Sequence, residues 1–328
     1  MILVVGGAGY IGSHMVKLLL AQGREVCTLD NLSTGFRDAV LGGEFHQIDL
    51  ADASAVDSLL ASHRFDAVMH FASSIVVGES VKDPAKYYRN NVVNTLNLLE
   101  AMVRHKVGRF IFSSTAAIFG EPQRVPIDED HPKQPVNPYG ASKWMIERVL
   151  ADFGHAYGLK SVCLRYFNAC GADPEGRIGE RHDPETHLIP LLLQVASGRR
   201  PNISVFGRDY PTPDGTCIRD YIHIEDLCTA HLLAVDHLVA GGDSRAFNLG
   251  NGTGFSVQEV LETVRRVTGH PIPVNDGPRR EGDPARLVAD SARVRQAFGW
   301  TPRYADLDLI VRHAWAWEQK CAGMPLHR

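Results

Sequence analysis

The sequence predicts an α/β fold: a doubly wound parallel sheet covered by helices, followed by a smaller substrate domain of mixed α/β character. Three observations carry this. Short β-rich runs alternate with helix-period segments through the first half of the chain. A glycine-rich turn separates the first such run from the first helix. After about residue 168 the alternation gives way to glycine, proline and charge.

The first strand is Ile2 to Val5, a short apolar run that stops at glycine. Ile11, Met15, Leu18 and Leu19 then share one helical face, and Gly23 supplies the stop. With a second strand over Glu25 to Leu29 this makes one βαβ unit. Further strands are expected over Ala67 to Phe71, Arg109 to Ser113 and Ser161 to Tyr166. Residues 86 to 107 set Tyr88, Val92, Leu96, Leu99 and Val103 on one helical face, with Asn90, Asn91, Asn94 and Asn97 tolerated as poor helix formers. Residues 169 to 187, "ACGADPEGRIGERHDPETH", have no periodicity and predict a long functional loop. From there to the end, short strands and helices alternate irregularly, as in a smaller domain that closes over the first.

Composition narrows the function. At 328 residues and 44% hydrophobic content the chain can build a real core. A formal net charge of −4 argues against nucleic-acid binding through bulk electrostatics and leaves phosphate recognition to a few placed groups, which favours a small anionic ligand. Cys27, Cys163, Cys170, Cys217, Cys228 and Cys321 are scattered, without a CxxC pair, and read as reduced cytosolic thiols. The opening "MILVV" reaches glycine too soon for a signal peptide, and no stretch approaches a membrane span, so a soluble cytoplasmic protein is expected. Fifteen histidines include no HxH or HExxH pair, and His182 and His187 lie in a charged loop, so no metal is expected.

The first chemical signal is "VVGGAGYIGSH". Gly6, Gly9 and Gly12 follow a strand and open a helix, so the backbone can turn tightly, approach a pyrophosphate and present helix N-terminal amides to it. Asp30 ends the second strand, where a carboxylate accepts hydrogen bonds from an adenosine ribose. A negative side chain there repels a 2′-phosphate, so the reading is a Rossmann-type domain that binds NAD rather than NADP. The second signal is "NPYGASK". Asn137 is a good N-cap and Pro138 suits the first helical position, which places Tyr139 and Lys143 one turn apart on one face. A free phenol is a poor base at neutrality, but a fixed ammonium and a nicotinamide cation nearby both favour the phenolate. The third is "FIFSSTAAIFG", a buried-strand pattern that ends in Ser113, Ser114 and Thr115. In an open parallel sheet these hydroxyls would be delivered into the cofactor crevice.

In this order "GGAGYIGSH", "SSTAAIFG" and "NPYGASK" resemble the extended short-chain dehydrogenase/reductase family. The stretches at 71–91, 164–176, 187–200, 206–227 and 277–290 narrow the likeness to the UDP-glucose 4-epimerase group over essentially the whole chain. The resemblance implies Tyr139 as catalytic base, Lys143 as its electrostatic partner and a ligand of the nicotinamide ribose, and Thr115 as the active-site hydroxyl. It implies NAD contacts at Tyr10, Ile11, Asp30, Asn31, Asp49, Leu50, Phe71, Ala72, Asn90 and Phe167, beside the glycines. It implies UDP-sugar contacts at Asn168, Leu188, Phe206, Arg219, Arg280 and Asp283. The two arginines also make sense from charge alone, because a pyrophosphate needs paired guanidinium donors.

The activity implied by the resemblance is 4-epimerisation of UDP-hexoses, UDP-galactose to UDP-glucose, through a transient 4-keto sugar. The implied division is an NAD-binding domain over 1–168, with 217–250 contributing to it, and a discontinuous UDP-sugar domain over 169–328. A homodimer is implied too, with the Tyr88 to Val103 and Met145 to Tyr157 faces as candidate surfaces. The chain departs from the family pattern at Ile75, where many members carry lysine, at Phe119, where a tyrosine is frequent, and at His187, where an asparagine often contacts substrate. Leu287 aligns with the position that gates the sugar pocket and is intermediate in size, so UDP-N-acetylhexosamines are possible secondary substrates. Related dehydratases follow the active-site threonine with Asp-Glu; here Ala116 and Ala117 cannot shuttle protons, which disfavours dehydration. Other UDP-sugars and decarboxylation of a UDP-uronic acid stay open. A non-catalytic NAD-sensing binding module is a different reading, and the intact Thr115, Tyr139 and Lys143 set stands against it.

Overall fold

The structure is a computed structural model that describes residues 1–280 and 283–323. The chain runs β1 (Ile2–Val5), α1 (Tyr10–Ala21), β2 (Val26–Asp30), β3 (Glu44–Gln47), α2 (Ala53–Ser62), β4 (Ala67–His70), α3 (Val77–Lys82) and α4 (Pro84–Tyr87). A π-helical turn over Tyr88–Val93 leads into α5 (Asn94–Arg104), β5 (Arg109–Thr115), α6 (Pro138–Tyr157) and β6 (Lys160–Tyr166). Then come β7 (Asn168–Cys170), α7 (Leu188–Ala196), β8 (Ile203–Phe206), β9 (Ile218–Arg219), β10 (Tyr221–His223), α8 (Ile224–Val239) and β11 (Arg245–Leu249). The remainder is β12 (Phe255–Ser256), α9 (Val257–Thr268), β13 (Val274–Gly277), β14 (Arg286–Leu287), α10 (Ala292–Phe298) and α11 (Leu307–Cys321).

Seven strands form one sheet in the order β11-β6-β5-β4-β1-β2-β3, and every pair is parallel. Strand order reverses at β1 and β4, and a crevice opens beyond the carboxyl ends of strands at such a switch point. Successive strand residues face opposite sides of the sheet, so β1 feeds two cores. Ile2 and Val4 pack with Met15 and Leu19 of α1 and Leu227 and Val235 of α8, while Leu3 and Val5 pack with Leu98, Met102, Ile146 and Leu150 of α5 and α6. Both faces are covered, which is why β1, β2 and β4 are buried at every residue. A third core joins Ile189 and Leu192 of α7, Val260 and Val264 of α9, and Ile310 and Val311 of α11.

The doubly wound class holds, and the five expected strands lie within two residues of their positions. Two strands of the sheet escape a local reading. The edge strand β3, "EFHQ", is half exposed and contains no β-branched residue; β11, "RAFNL", joins the sheet from far along the chain. The single helix expected over 86 to 107 is divided, because the π turn swings Asn91 inward. The loop expected over 169 to 187 contains the end of β7 and an isolated bridge between Ala172 and Gly179. Among the described residues no helix is long and apolar enough to cross a membrane.

Candidate active site

The glycine turn lies at the switch point. Gly6 has φ +81°, and a Cβ there would stand 2.5 Å from the backbone nitrogen of Ala72 in the loop after β4. A Cβ on Gly12 would stand 2.1 Å from the Gly6 carbonyl oxygen, so any side chain would fill the cradle. Gly9, the N-cap of α1, gives no side-chain cap, and the first turn contains no acid. The helix therefore keeps free amide donors and a positive dipole end for a phosphate. Asp30 accepts from Ala8 N at 2.9 Å and Leu32 N at 2.8 Å; burial pushes its carboxyl up while these two donors pull it down. Asn31 donates to Asp49 at 2.8 Å beside buried Leu50, which ties β2 to the chain after β3. The Tyr10 phenol donates to the Gly171 carbonyl at 2.8 Å, so what it leaves for a phosphate is its backbone amide. A dinucleotide fits this uncapped, glycine-lined cradle with an acid at its far strand.

On the other side of the crevice stand Thr115, at the end of β5, and Tyr139 and Lys143 on α6. Asn137 caps α6 by accepting from Gly140 N at 2.9 Å, and Pro138 takes the first position. A Cβ on Gly140 would meet the Ala117 carbonyl at 2.5 Å, so glycine lets α6 press against the turn after β5. The Lys143 ammonium donates to Ser73 Oγ at 2.6 Å and the Ser113 carbonyl at 2.9 Å, and lies 4.9 Å over the Phe112 ring. Burial lowers its pKa to about 7. Burial also raises the Tyr139 phenol above its ordinary value, against a hydrogen bond with Thr115 that lowers it. The depressed phenol expected beside a lysine is thus absent from the protein alone, because low polarity disfavours the charged form of each group.

Strand alternation separates the three hydroxyls expected in the crevice. Ser114 faces the opposite side and donates to Glu147 at 2.6 Å, while Ser113 is bonded to the Tyr166 hydroxyl. Thr115 Oγ1 accepts from Ala117 N at 3.1 Å and is the hydroxyl left beside Tyr139. Two positioning residues, Asn91 and Glu147, give no sequence signal, whereas Asn90 is expected at the cofactor. Asn91 accepts from Ser74 N at 2.8 Å and donates to Ser142 at 3.0 Å, and Asn90 donates to Ser74 Oγ at 3.2 Å; together they fix the loop bearing Phe71, Ala72 and Ser73. Glu147 forms a buried ion pair with Arg165 at 2.6 Å behind Ser114. Asn runs and lone charges inside helices carry no periodic signature, so only contacts reveal them.

The remaining predicted residues lie between the sheet and the third core. Asn168 donates to the Asp220 carbonyl at 2.9 Å, directly after Phe167. Asp220, which sequence reasoning misses, accepts backbone amides from Asn251, Gly252 and Ala289 at 2.7, 3.1 and 3.1 Å and so fixes its neighbour Arg219. The Arg219 guanidinium pairs with Asp283, and Arg280 stacks 4.3 Å over the Phe206 ring. Leu188 opens α7, and the His187 ring directs Nδ1 toward Glu180 and Glu185. Leu287, paired in register with Arg219, packs, like Ala116 and Phe167, against the small core of Ile118, Phe119 and Ile127. Two arginines, one stacked on an aromatic ring, suit a diphosphate and a flat base.

A family model described as the NAD dependent epimerase/dehydratase family matches residues 2–250. The UDP-glucose 4-epimerase of Halalkalibacterium halodurans is 54% identical over 319 residues, 97% of this chain and 96% of that protein. The crystal structure of UDP-glucose 4-epimerase from Brucella ovis in complex with NAD superposes with a TM-score of 0.94 at 51% identity, over 96% of this chain and 97% of that one. The Bifidobacterium longum UDP-glucose 4-epimerase, solved with NAD+ and UDP, gives a TM-score of 0.92 at 37% identity, over 97% and 98% of the two chains.

Proposed function

The chain belongs to the NAD dependent epimerase/dehydratase family, and from that premise we infer that it inverts C4 of UDP-galactose to give UDP-glucose, and the reverse. It catalyses NAD-dependent 4-epimerisation of UDP-hexoses. The observation that carries this reading is the convergence of Thr115, Tyr139 and Lys143 beside a glycine turn with no room for a side chain.

The residues divide the chemistry. Gly6, Gly9, Gly12, Tyr10 and Ile11 would hold the pyrophosphate of NAD; Asp30, Asn31, Asp49 and Leu50 would surround its adenosine; Phe71, Ala72, Asn90, Lys143 and Phe167 would line the nicotinamide half. The bound nicotinamide would supply a reversible hydride acceptor for C4, without net oxidation. Tyr139 removes the proton of the sugar 4-hydroxyl, and Thr115 hydrogen bonds to that oxygen and orients it. Burial opposes the phenolate and the ammonium separately; formed together one helical turn apart, each charge relieves the cost of the other. Asn168, Leu188, Phe206, Arg219, Arg280 and Asp283 anchor UDP while the flat 4-keto sugar turns. Binding energy concentrated on the nucleotide leaves the sugar loosely held, which the inversion requires. Return of the Tyr139 proton completes the cycle.

The division into 1–168 with 217–250 for NAD and the rest of 169–328 for the UDP-sugar accords with the cores: α8 and β11 pack with β1, whereas α7, α9 and α11 form their own. Exposed Val93 and Met145, on the two candidate helices, support a homodimer through that face, and six free cysteines support a reducing cytoplasmic setting. Leu287, of intermediate size and packed against the same small core as Phe167 and Ala116, supports secondary use of N-acetylated UDP-sugars. Running the conversion in heavy water tests the mechanism. Hydride return predicts UDP-glucose with no deuterium at C4, and solvent deuterium at C4 would overturn it.

A further inference from the structure

No step assigned above uses the side chains of Glu180, His182, Glu185 or His187, yet the segment 180–187 gathers these two carboxylates and two imidazoles. Glu180, His182, Glu185 and His187 each turn one donor atom to a common centre, all within 4.8 Å of one another. His182 Nδ1 lies 3.2 Å from Glu180 Oε1 and 3.6 Å from Glu185 Oε2. His187 Nδ1 lies 2.8 Å from Glu180 Oε1 and 3.1 Å from Glu185 Oε1. Donors about 2.1 Å from a tetrahedral cation are about 3.4 Å apart, so these separations match the edges of a coordination shell. Hydrogen bonding accounts for the cluster less well. Glu180 Oε1 and His182 Nδ1 are buried, and neither has a hydrogen-bond partner in acceptable direction despite their closeness. Of the four contacts, the one between His187 Nδ1 and Glu185 Oε1 is a hydrogen bond.

Charge points the same way. The Glu180 and Glu185 side chains are 5% and 4% exposed, and two carboxylates so far from water need two positive charges close by. Two protonated imidazoles or a single divalent cation would supply both, and the cation leaves the imidazoles neutral, as ligands must be. We propose that Glu180, His182, Glu185 and His187 bind one structural Zn2+, the borderline cation that a nitrogen and carboxylate donor set of this size suits best. Four protein ligands close the shell, so the ion takes no part at the reacting carbon.

The surroundings give the site its purpose. Glu185 Oε1 also accepts the amides of Thr186 and His187 at 2.7 and 2.8 Å, and the indole of Trp317 donates to the Glu180 carbonyl at 2.9 Å. The His182 ring meets the Tyr10 ring edge-on at 6.3 Å, and His187 directly precedes Leu188 of α7. A cation here fastens the start of the sugar-side helix to the glycine turn.

The test uses the full chain, free of any affinity tag and purified without chelator. Metal analysis should find close to one Zn2+ per chain. After dialysis against a chelator, titration with Zn2+ alone should restore one equivalent and raise the melting temperature by about 5 °C. Glu180→Gln and His182→Gln, each checked for folding by circular dichroism, should weaken Zn2+ binding at least about 100-fold. Folded protein that takes up no Zn2+, with an unshifted melting temperature, would overturn the proposal and leave a cluster neutralised by protons. So would variants that bind Zn2+ as tightly as the parent, which would place the ion elsewhere, for example at Cys27, Glu44 and His46.

Discussion

Replacing Lys143 with methionine removes an ammonium that the fold encloses at a cost. Burial brings the group to about 7, whereas an unfolded lysine titrates near pH 10.4. The difference corresponds to roughly 5 kcal/mol at about 1.4 kcal/mol per unit, part of it offset by the bonds to Ser73 and the Ser113 carbonyl. Between these two values the unfolded chain binds the extra proton, so this group makes the fold more stable as pH rises and less stable as pH falls toward 7. Methionine keeps the volume and abolishes the titration. Urea unfolding of cofactor-stripped parent and Lys143→Met at about pH 6.5 and about pH 9.5 should show the parent gaining about 3 kcal/mol on the variant across that interval. Parallel pH profiles would refute the claim that an ionisable, enclosed Lys143 sits in the site. The variant should also lose epimerase activity, which separates a group that destabilises the fold from one the reaction can spare.

Glu147→Gln leaves Arg165 buried without its counter-charge and should destabilise the protein by about 3–5 kcal/mol in urea unfolding, with partial recovery when Arg165→Met is added. Leu287→Tyr should narrow the sugar pocket and lower turnover of UDP-N-acetylgalactosamine relative to UDP-galactose at least about tenfold, measured as a ratio of kcat/KM values. Gly12→Ala drives a Cβ toward the Gly6 carbonyl and should weaken NAD binding at least about tenfold, or about 1.4 kcal/mol, by titration calorimetry.

The parts of the site legible in the sequence are those whose chemistry is local. Gly6, Gly9 and Gly12 follow a strand and open a helix, and Tyr139 and Lys143 lie one turn apart behind an Asn-Pro start; in both cases the spacing itself fixes the geometry. The hidden parts depend on contacts distant in the chain. Glu147 pairs with Arg165 across two elements, Asp220 gathers amides from residues 251, 252 and 289, and Asn91 reaches back to Ser74. None of these polar residues has a pattern of neighbours to mark it. The strand β11 is illegible for a related reason, since its place in the sheet depends on β6 rather than on its own five residues. Charge alone leaves out the burial that raises the Tyr139 phenol and lowers the Lys143 ammonium, because depth of burial is a property of the folded chain.

In the proposed mechanism one enclosed phenol, that of Tyr139, moves the proton of the sugar 4-hydroxyl. Tyr139→Phe deletes that oxygen while the Asn137 cap, the Pro138 start and the packing of α6 stay as they are. The rate of UDP-galactose conversion by this variant, measured with NAD and UDP binding shown to be unchanged, should fall by about 10²–10⁴-fold. Conversion at the parent rate would contradict the account.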